Sequence, residues 1–129
     1  MSTSEAITRG VRVRVQCEYA PDRSTPATQH WFFLYTITIA NEGDQAVQVM
    51  TRHWTITDGN SEVREVRGPG VVGQKPVVPP GESFTYTSGC ALTTPFGTME
   101  GTYQMVAADG GEFDARIAPF TLSEPYTVH

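Results

Sequence analysis

Val11-Arg12-Val13-Arg14-Val15-Gln16-Cys17-Glu18-Tyr19 decides the fold class. Apolar and polar residues alternate without a break along this stretch. Successive side chains of an extended chain point to opposite faces, so a period of two marks a strand with one buried side. The same reading extends to both sides of it. After a Pro-Asp-Arg-Ser-Thr-Pro loop, Trp31 to Ala40 is a second strand, with Trp31, Phe33, Tyr35, Ile37 and Ile39 on one face. Its other face begins with Phe32 and Leu34 and continues with Thr36, Thr38 and Ala40. Asn41-Glu42-Gly43-Asp44 turns the chain.

The third strand changes phase. Val47 and Val49 share one parity, whereas Met50, Trp54 and Ile56 share the other. Side chains flip at every residue of a strand, so the change requires an extra residue, a β-bulge between Val49 and Thr51. Asp58-Gly59-Asn60 turns into a short strand over Val63 to Val66, and Phe84 with Tyr86 begins another. Two final strands, 98–107 and 113–122, flank the Asp109-Gly110-Gly111 hairpin. Pro119 marks a second phase slip or an edge position. Seven or eight strands, separated by turns about every ten residues, make an all-β sandwich of two antiparallel sheets. Trp54 is the candidate for the tryptophan between the sheets. Gly101-Thr102-Tyr103-Gln104-Met105 has the form of an immunoglobulin-type tyrosine corner, with Met105 at the core position that follows.

Between the fourth and fifth of these strands lies Arg67-Gly68-Pro69-Gly70-Val71-Val72-Gly73-Gln74-Lys75. It contains a G-x-G-x-x-G, but a dinucleotide cradle needs a strand before it and a helix after it. Pro76-Val77-Val78-Pro79-Pro80 rules out that helix. The segment is read as a loop. Two roles stay open for it. Gly68, Gly70 and Gly73 allow positive φ and close approach of strands, with Pro69 stiffening the bend. Alternatively the loop amides form an anion nest, with Arg67 and Lys75 supplying charge and Arg52 and Arg64 nearby.

At 129 residues the chain is long enough for one domain with its own core, and it is expected to form a single unit over 1–129 with a core at about 10–122 and mobile ends. The net charge is −5, and eight of the nine basic residues are arginines spread along the chain. That pattern argues against a nucleic-acid partner. The first residues lack the basic and apolar regions of a secretory signal, and no apolar run approaches the length of a membrane span. A cytoplasmic location is therefore expected, with Cys17 and Cys90 as free thiols, Cys17 in the core and Cys90 at a strand end or in a loop.

With those residues in view, the chain resembles the ApaG family from Val11 to Leu122. Tyr35-Thr36-Ile37-Thr38-Ile39, Arg52-His53-Trp54-Thr55-Ile56-Thr57-Asp58 and Val66 to Gly73 carry the resemblance. So do Pro80-Gly81-Glu82-Ser83-Phe84, Tyr86-Thr87-Ser88-Gly89-Cys90 and Gly101 to Met105. The resemblance implies a fibronectin type III-like sandwich. Bacterial members are named for genes beside a diadenosine tetraphosphate hydrolase and have been linked to cobalt and magnesium efflux. Similar domains in eukaryotic F-box proteins and in a DNA-polymerase-interacting protein look like recognition modules.

Chemistry is sparse. No G-x-S-x-G is present, and Ser88-Gly89-Cys90 lacks a helix start that would activate its thiol. His30, His53 and His129 are far apart and form no H-x-H or H-E-x-x-H set, so neither a metal site nor a cofactor is expected. His129, the terminal residue, is expected to be mobile. Asp58-Gly59-Asn60-Ser61-Glu62 is read as a hairpin turn rather than a calcium loop. Phe32 and Leu34 form a candidate partner surface if they point outward, or are covered by the loop from Ala20 to Gln29. The expected function is a non-enzymatic module that binds a protein through a sandwich face or an edge strand, as monomer or homodimer. The alternatives are binding of pyrophosphate-containing nucleotides through the Gly68–Gly73 loop, and an indirect role in divalent-cation homeostasis.

Overall fold

The structure is a computed structural model and describes residues 1–125. Residues 126–129, His129 and the expectation of a mobile C-terminal end included, lie outside the described residues. Nine strands follow in order: β1 (Ser2–Thr8), β2 (Val11–Tyr19), β3 (Trp31–Asn41), β4 (Val47–Asp58), β5 (Val63–Pro69), β6 (Val77–Val78), β7 (Ser83–Leu92), β8 (Phe96–Ala107) and β9 (Glu112–Ser123). Single 3-10 turns at Pro21–Arg23 and Pro26–Thr28 break the loop between β2 and β3. One sheet has the order β1-β2-β3-β7 and the other β5-β4-β8-β9, with β6 beside the start of β4. All pairs are antiparallel. The chain is a β-sandwich.

The alternation in β2 works as expected: Val11, Val13, Val15 and Cys17 are buried against the facing sheet. Opposite them β3 buries Phe33, Tyr35, Ile37 and Ile39. In β4 the register slips between Val49 and Thr51, the expected bulge. Val47 and Val49 face inward before it, and Trp54 and Ile56 after it. Trp54 fills the space between the sheets, with ring centroids of Tyr35, Phe120 and Tyr103 at 5.4, 6.0 and 6.5 Å. The edge-on angles of these contacts suit the aromatic quadrupoles. A second slip lies between β8 and β9: Met99 faces Phe120 but Gly101 faces Ile117. Ala118 and Pro119 together oppose Glu100, and a bulge is where a strand tolerates a proline.

Four sequence expectations differ from the structure. The N-terminal residues, placed outside the core, form β1 in full register with β2 from Ser2↔Cys17 to Thr8↔Val11. Their short polar side chains carry no alternation strong enough to read, and the strand is defined by its partner. β5 runs past Val66 to Pro69, so Arg67 and Gly68 belong to a strand rather than a loop. Cys90 lies inside β7 and is buried. Tyr103 is not a corner residue. It lies within β8, has no exposed surface, and its hydroxyl meets that of Tyr86 from the opposite sheet. A Tyr two residues before a buried Met occurs equally in mid-strand, which is why the spacing misleads.

The two flanks of the sandwich differ. On one, β1 lies against β9: Ser4 Oγ donates to Ala118 O at 2.9 Å, Arg116 N donates to Thr8 Oγ1 at 3.1 Å, and Ser2 Oγ donates to Thr121 O. On the other, the edge strands β7 and β5 face each other without pairing. That flank is open.

Candidate functional site

The register between β4 and β5 determines which side chains enter the open flank. Arg52 faces Gly68, Trp54 faces Val66 and Ile56 faces Arg64. Since Trp54 and Ile56 are buried, Arg52 and Arg64 share their inward parity. Across the gap, β7 turns Tyr86, Ser88, Cys90 and Leu92 inward, three of them buried. The result is a trough between two sheet edges in three adjoining segments. The first, about 160 Å³, lies against Val71, Val72 and Tyr86. The second, about 290 Å³, lies between Arg52, Val66 and Arg64 on one wall and Ser88 and Cys90 on the other, over Tyr35 and Trp54. The third, about 220 Å³, opens between Ile56, Arg64, Leu92 and the acidic pair Asp58 and Glu62.

Arg52 is half-buried. Its Nη1 donates to Pro69 O and Gly70 O, each at 3.0 Å. The guanidinium lies on Gly68, where a Cβ would come within 2.8 Å of Nη2. Arg64 Nη2 donates to Ala91 O at 3.0 Å and approaches Cys90 Sγ at 3.6 Å. Among the described residues neither arginine has a carboxylate within ion-pair distance. Arg52, half-buried, and Arg64, exposed at the edge of the flank, thus meet only neutral acceptors. Burial pushes the Tyr35 hydroxyl up, against the opposing effects of Ser88 and the Arg52 charge. Burial likewise raises the Cys90 thiol, outweighing Arg64. Cys90 therefore keeps its proton at neutral pH and is a poor nucleophile. Cys17, also free, is pushed up to about 11 by burial.

The residues singled out from the glycine motif are not gathered around one point. Arg67 is exposed on the outward face of β5 and sits 3.6 Å from Glu65, which also binds His53 at 2.7 Å. Gly68 makes room for Arg52. Gly70 has φ +59°, and a Cβ there would come within 2.0 Å of Gln74 O. Its amide donates to Met50 O, while Val71 and Gln74 exchange two backbone bonds around Val72-Gly73. With φ of +43° and +78°, those two residues make the tight turn of a two-residue hairpin. The amides of Gly70, Val71 and Gln74 are thus already used within the protein. Lys75 lies beside Gly70 and accepts from Gln48 Nε2 through its carbonyl at 3.1 Å.

Phe32 and Leu34 lie on the outer face of the β1-β2-β3-β7 sheet and are half-buried. The Phe32 ring covers Gly89, where a Cβ would come within 2.3 Å of it. It stacks with His30 at 6.3 Å, and the Arg23 guanidinium stands 5.7 Å from its centroid. Residues of the 20–30 loop thus cover it in part. Among the described residues no group of three His, Cys, Asp or Glu is arranged to hold a metal, and no helix is long and apolar enough to cross a membrane. Sequence reasoning missed Tyr35, Ser88 and Trp54 as trough residues. It placed Arg52 and Arg64 only near the glycine segment. The parity shift at the bulge was the available signal, because Arg52 falls between Met50 and Trp54 in the inward phase.

The ApaG domain matches residues 21–107 of the chain. Protein ApaG of Dechloromonas aromatica is 53% identical over 119 residues, which cover 92% of this chain and 94% of that protein. Protein ApaG of Methylobacterium sp. strain 4-46 is 52% identical over 122 residues, covering 95% and 94%. Among solved structures, that of an ApaA protein from Bordetella pertussis superposes with a TM-score of 0.88 at 51% identity, covering 91% of this chain and 95% of that one.

Proposed function

This chain belongs to the ApaG domain family, and we propose that it is a non-enzymatic binding module that recognises a protein partner along the open flank of its sandwich. The observation that carries the reading is the placement of Arg52 and Arg64 at inward positions of β4 and β5 without carboxylate partners. A sandwich stabilised only for its own sake places an apolar residue at position 52, because a half-buried cation without a counter-ion is costly; Arg64, which is exposed, adds a second charge at the mouth of the same flank. Catalysis finds less support in the same space. Its thiol is held protonated, and among the described residues no histidine lines any segment of the trough.

Amide-resolved NMR tests this reading against nucleotide binding. Diadenosine tetraphosphate, with and without Mg²⁺, is expected to leave the amides of Gly68 to Lys75 unmoved. Saturable shifts confined to that segment would replace the protein-binding reading with a phosphate site. Steady turnover of the nucleotide by the purified protein would replace it with an enzyme.

A further inference from the structure

We propose that the trough takes an extended peptide as an added strand on β7, with an Asp or Glu side chain of the peptide held between Arg52 and Arg64. This deepens the binding-module reading and rests on it.

The first support is the edge itself. β7 pairs with β3 on one side only. Asn41 N donates to Glu82 O at 2.9 Å, so residues of even number along β7 direct their backbone groups to β3. Ala91 O instead accepts from Arg64, and Phe32, which faces Ala91, receives its bond from Ala20 on the β2 side. The odd-numbered residues Thr85, Thr87, Gly89 and Ala91 therefore present N–H and C=O groups away from the sheet. Free edges are normally protected by charges, proline, shortness or a covering element. β7 is ten residues long, Ser83–Leu92, and contains neither a charge nor a proline. The facing edge is protected: β5 carries Arg64, Glu65, Arg67 and Pro69. β1, at the other end of the first sheet, is covered by β9. An unprotected strand beside a trough is the arrangement used for recognition by strand addition.

The second support is charge. The chain carries a net charge of −5, yet the middle segment of this trough is bounded by two arginines that bind only carbonyl and thiol groups. A carboxylate is the group a guanidinium fork fits best. At about 290 Å³ the segment has room for roughly ten waters, enough for a side chain and its remaining hydration. Alternate residues of an added strand point into the trough about 6.8 Å apart. A central acid at the level of Ser88 then has neighbours two positions away on each side. One, at the level of Tyr86, meets Val71 and Val72; the other, at the level of Cys90, meets Ile56. The expected recognition pattern is apolar-x-acid-x-apolar. Val72 adds to this. It is a β-branched residue at φ +43° and is half-exposed at the end of the trough, a combination that strain arguments associate with contact sites.

The test is selection of a displayed library of random nine-residue peptides on the full chain, followed by NMR mapping and affinity measurement of the enriched peptides. The expected result is an apolar-x-acid-x-apolar consensus, with shifts concentrated on Thr85 to Ala91. Arg64→Gln, Arg52→Gln, and Gln in place of the peptide's acid should each weaken binding at least tenfold. Thr87→Pro should do the same, because it removes an outward N–H and leaves the backbone bonds to β3 in place, losing only the side-chain bond to Thr36. Arg64 is exposed, so its variant keeps the test valid if Arg52→Gln folds poorly. Enriched peptides that lack an acid, tolerate Arg64→Gln, or map away from β7 would overturn this inference and leave a binding module with another surface. Failure to enrich any peptide would overturn both.

Discussion

Tyr86 and Tyr103 offer the sharpest test of how the sandwich is held together. Their hydroxyls bind each other across the two sheets, and among the described residues no other side-chain partner serves either oxygen. Tyr103 has no exposed surface, while Tyr86 is 8% exposed and lines the trough. The two single substitutions are therefore not equivalent. Tyr86→Phe strands the Tyr103 hydroxyl in a sealed core, with a desolvation cost of about 2–3 kcal/mol. Tyr103→Phe strands the Tyr86 hydroxyl, which is buried too but belongs to a residue that lines the trough; water entering from the trough can take the lost partner's place, so the cost is about 1 kcal/mol. Replacing both leaves two apolar rings of unchanged shape, so the double variant should be close to wild type.

Urea denaturation read by tryptophan fluorescence measures all three. With an m value of about 1.5 kcal/mol/M, Tyr86→Phe should lower the midpoint by about 1.5 M and Tyr103→Phe by about half as much. The double-mutant cycle should give a coupling of about 2 kcal/mol or more, the double being more stable than the worse single variant. Additive costs, or a larger effect at Tyr103, would refute the reasoning that water from the trough can replace the lost partner of Tyr86 but not that of Tyr103.

Three further perturbations bear on the fold. Gly70→Ala should cost well over 2 kcal/mol, because positive φ and a Cβ within 2.0 Å of Gln74 O act together, whereas Gly73→Ala meets nothing within 4 Å and should cost about 1 kcal/mol; thermal melts of the pair separate strain from collision. Stability should fall as pH rises from 9 toward 11, since Cys17 titrates near 9 when unfolded and about 11 when buried; the protonated thiol's contribution is complete below pH 9 and is lost through the folded value. The loss is up to about 3 kcal/mol, and Cys17→Ala should make the fall of the urea midpoint over that range shallower, leaving the part due to Cys90 and Tyr35. Deleting Ser2–Thr8 should lower Tm by at least about 5 °C and promote association seen by size exclusion, because it uncovers β9 and the edge of β2. An unchanged Tm would show that β1 only decorates the sheet.

Most of the fold was legible because strands announce themselves by parity. Val11 to Tyr19 needs no context, and the two bulges were readable as breaks in phase, at Val49–Thr51 directly and at Pro119 through the residue a ladder cannot accept. What failed did so where parity is weak or shared. β1 alternates Ser, Ser, Ala and Thr with Thr, Glu and Ile, a contrast too small to read alone. Tyr103 fits a corner and a mid-strand position equally well, and only the facing Tyr86 distinguishes them. Arg67 to Pro69 read as loop because glycine and proline dominate them, yet at the edge of a sheet both residues are tolerated, and Gly68 is needed to seat Arg52.

The site was hidden for a different reason. A trough between sheet edges depends on which strands end their sheets, and strand order is a tertiary fact that no local pattern encodes. The residues nevertheless left a trace. Once the bulge is accepted, continuing its phase from Met50 puts Arg52 on the buried face ahead of Trp54, an arginine where the pattern calls for an apolar residue. The same count through the Asp58 turn puts Arg64 opposite Ile56. Two cations in core phase on neighbouring strands mean either paired acids inside or an open space beside them. β7 supplies Ser88 and Cys90 at the facing inward positions and carries no acid along its length. Asp58 and Glu62 line the next segment beside Arg64, but among the described residues neither pairs with it, so the space stays open, and the proposal of a carboxylate from outside the chain rests on that.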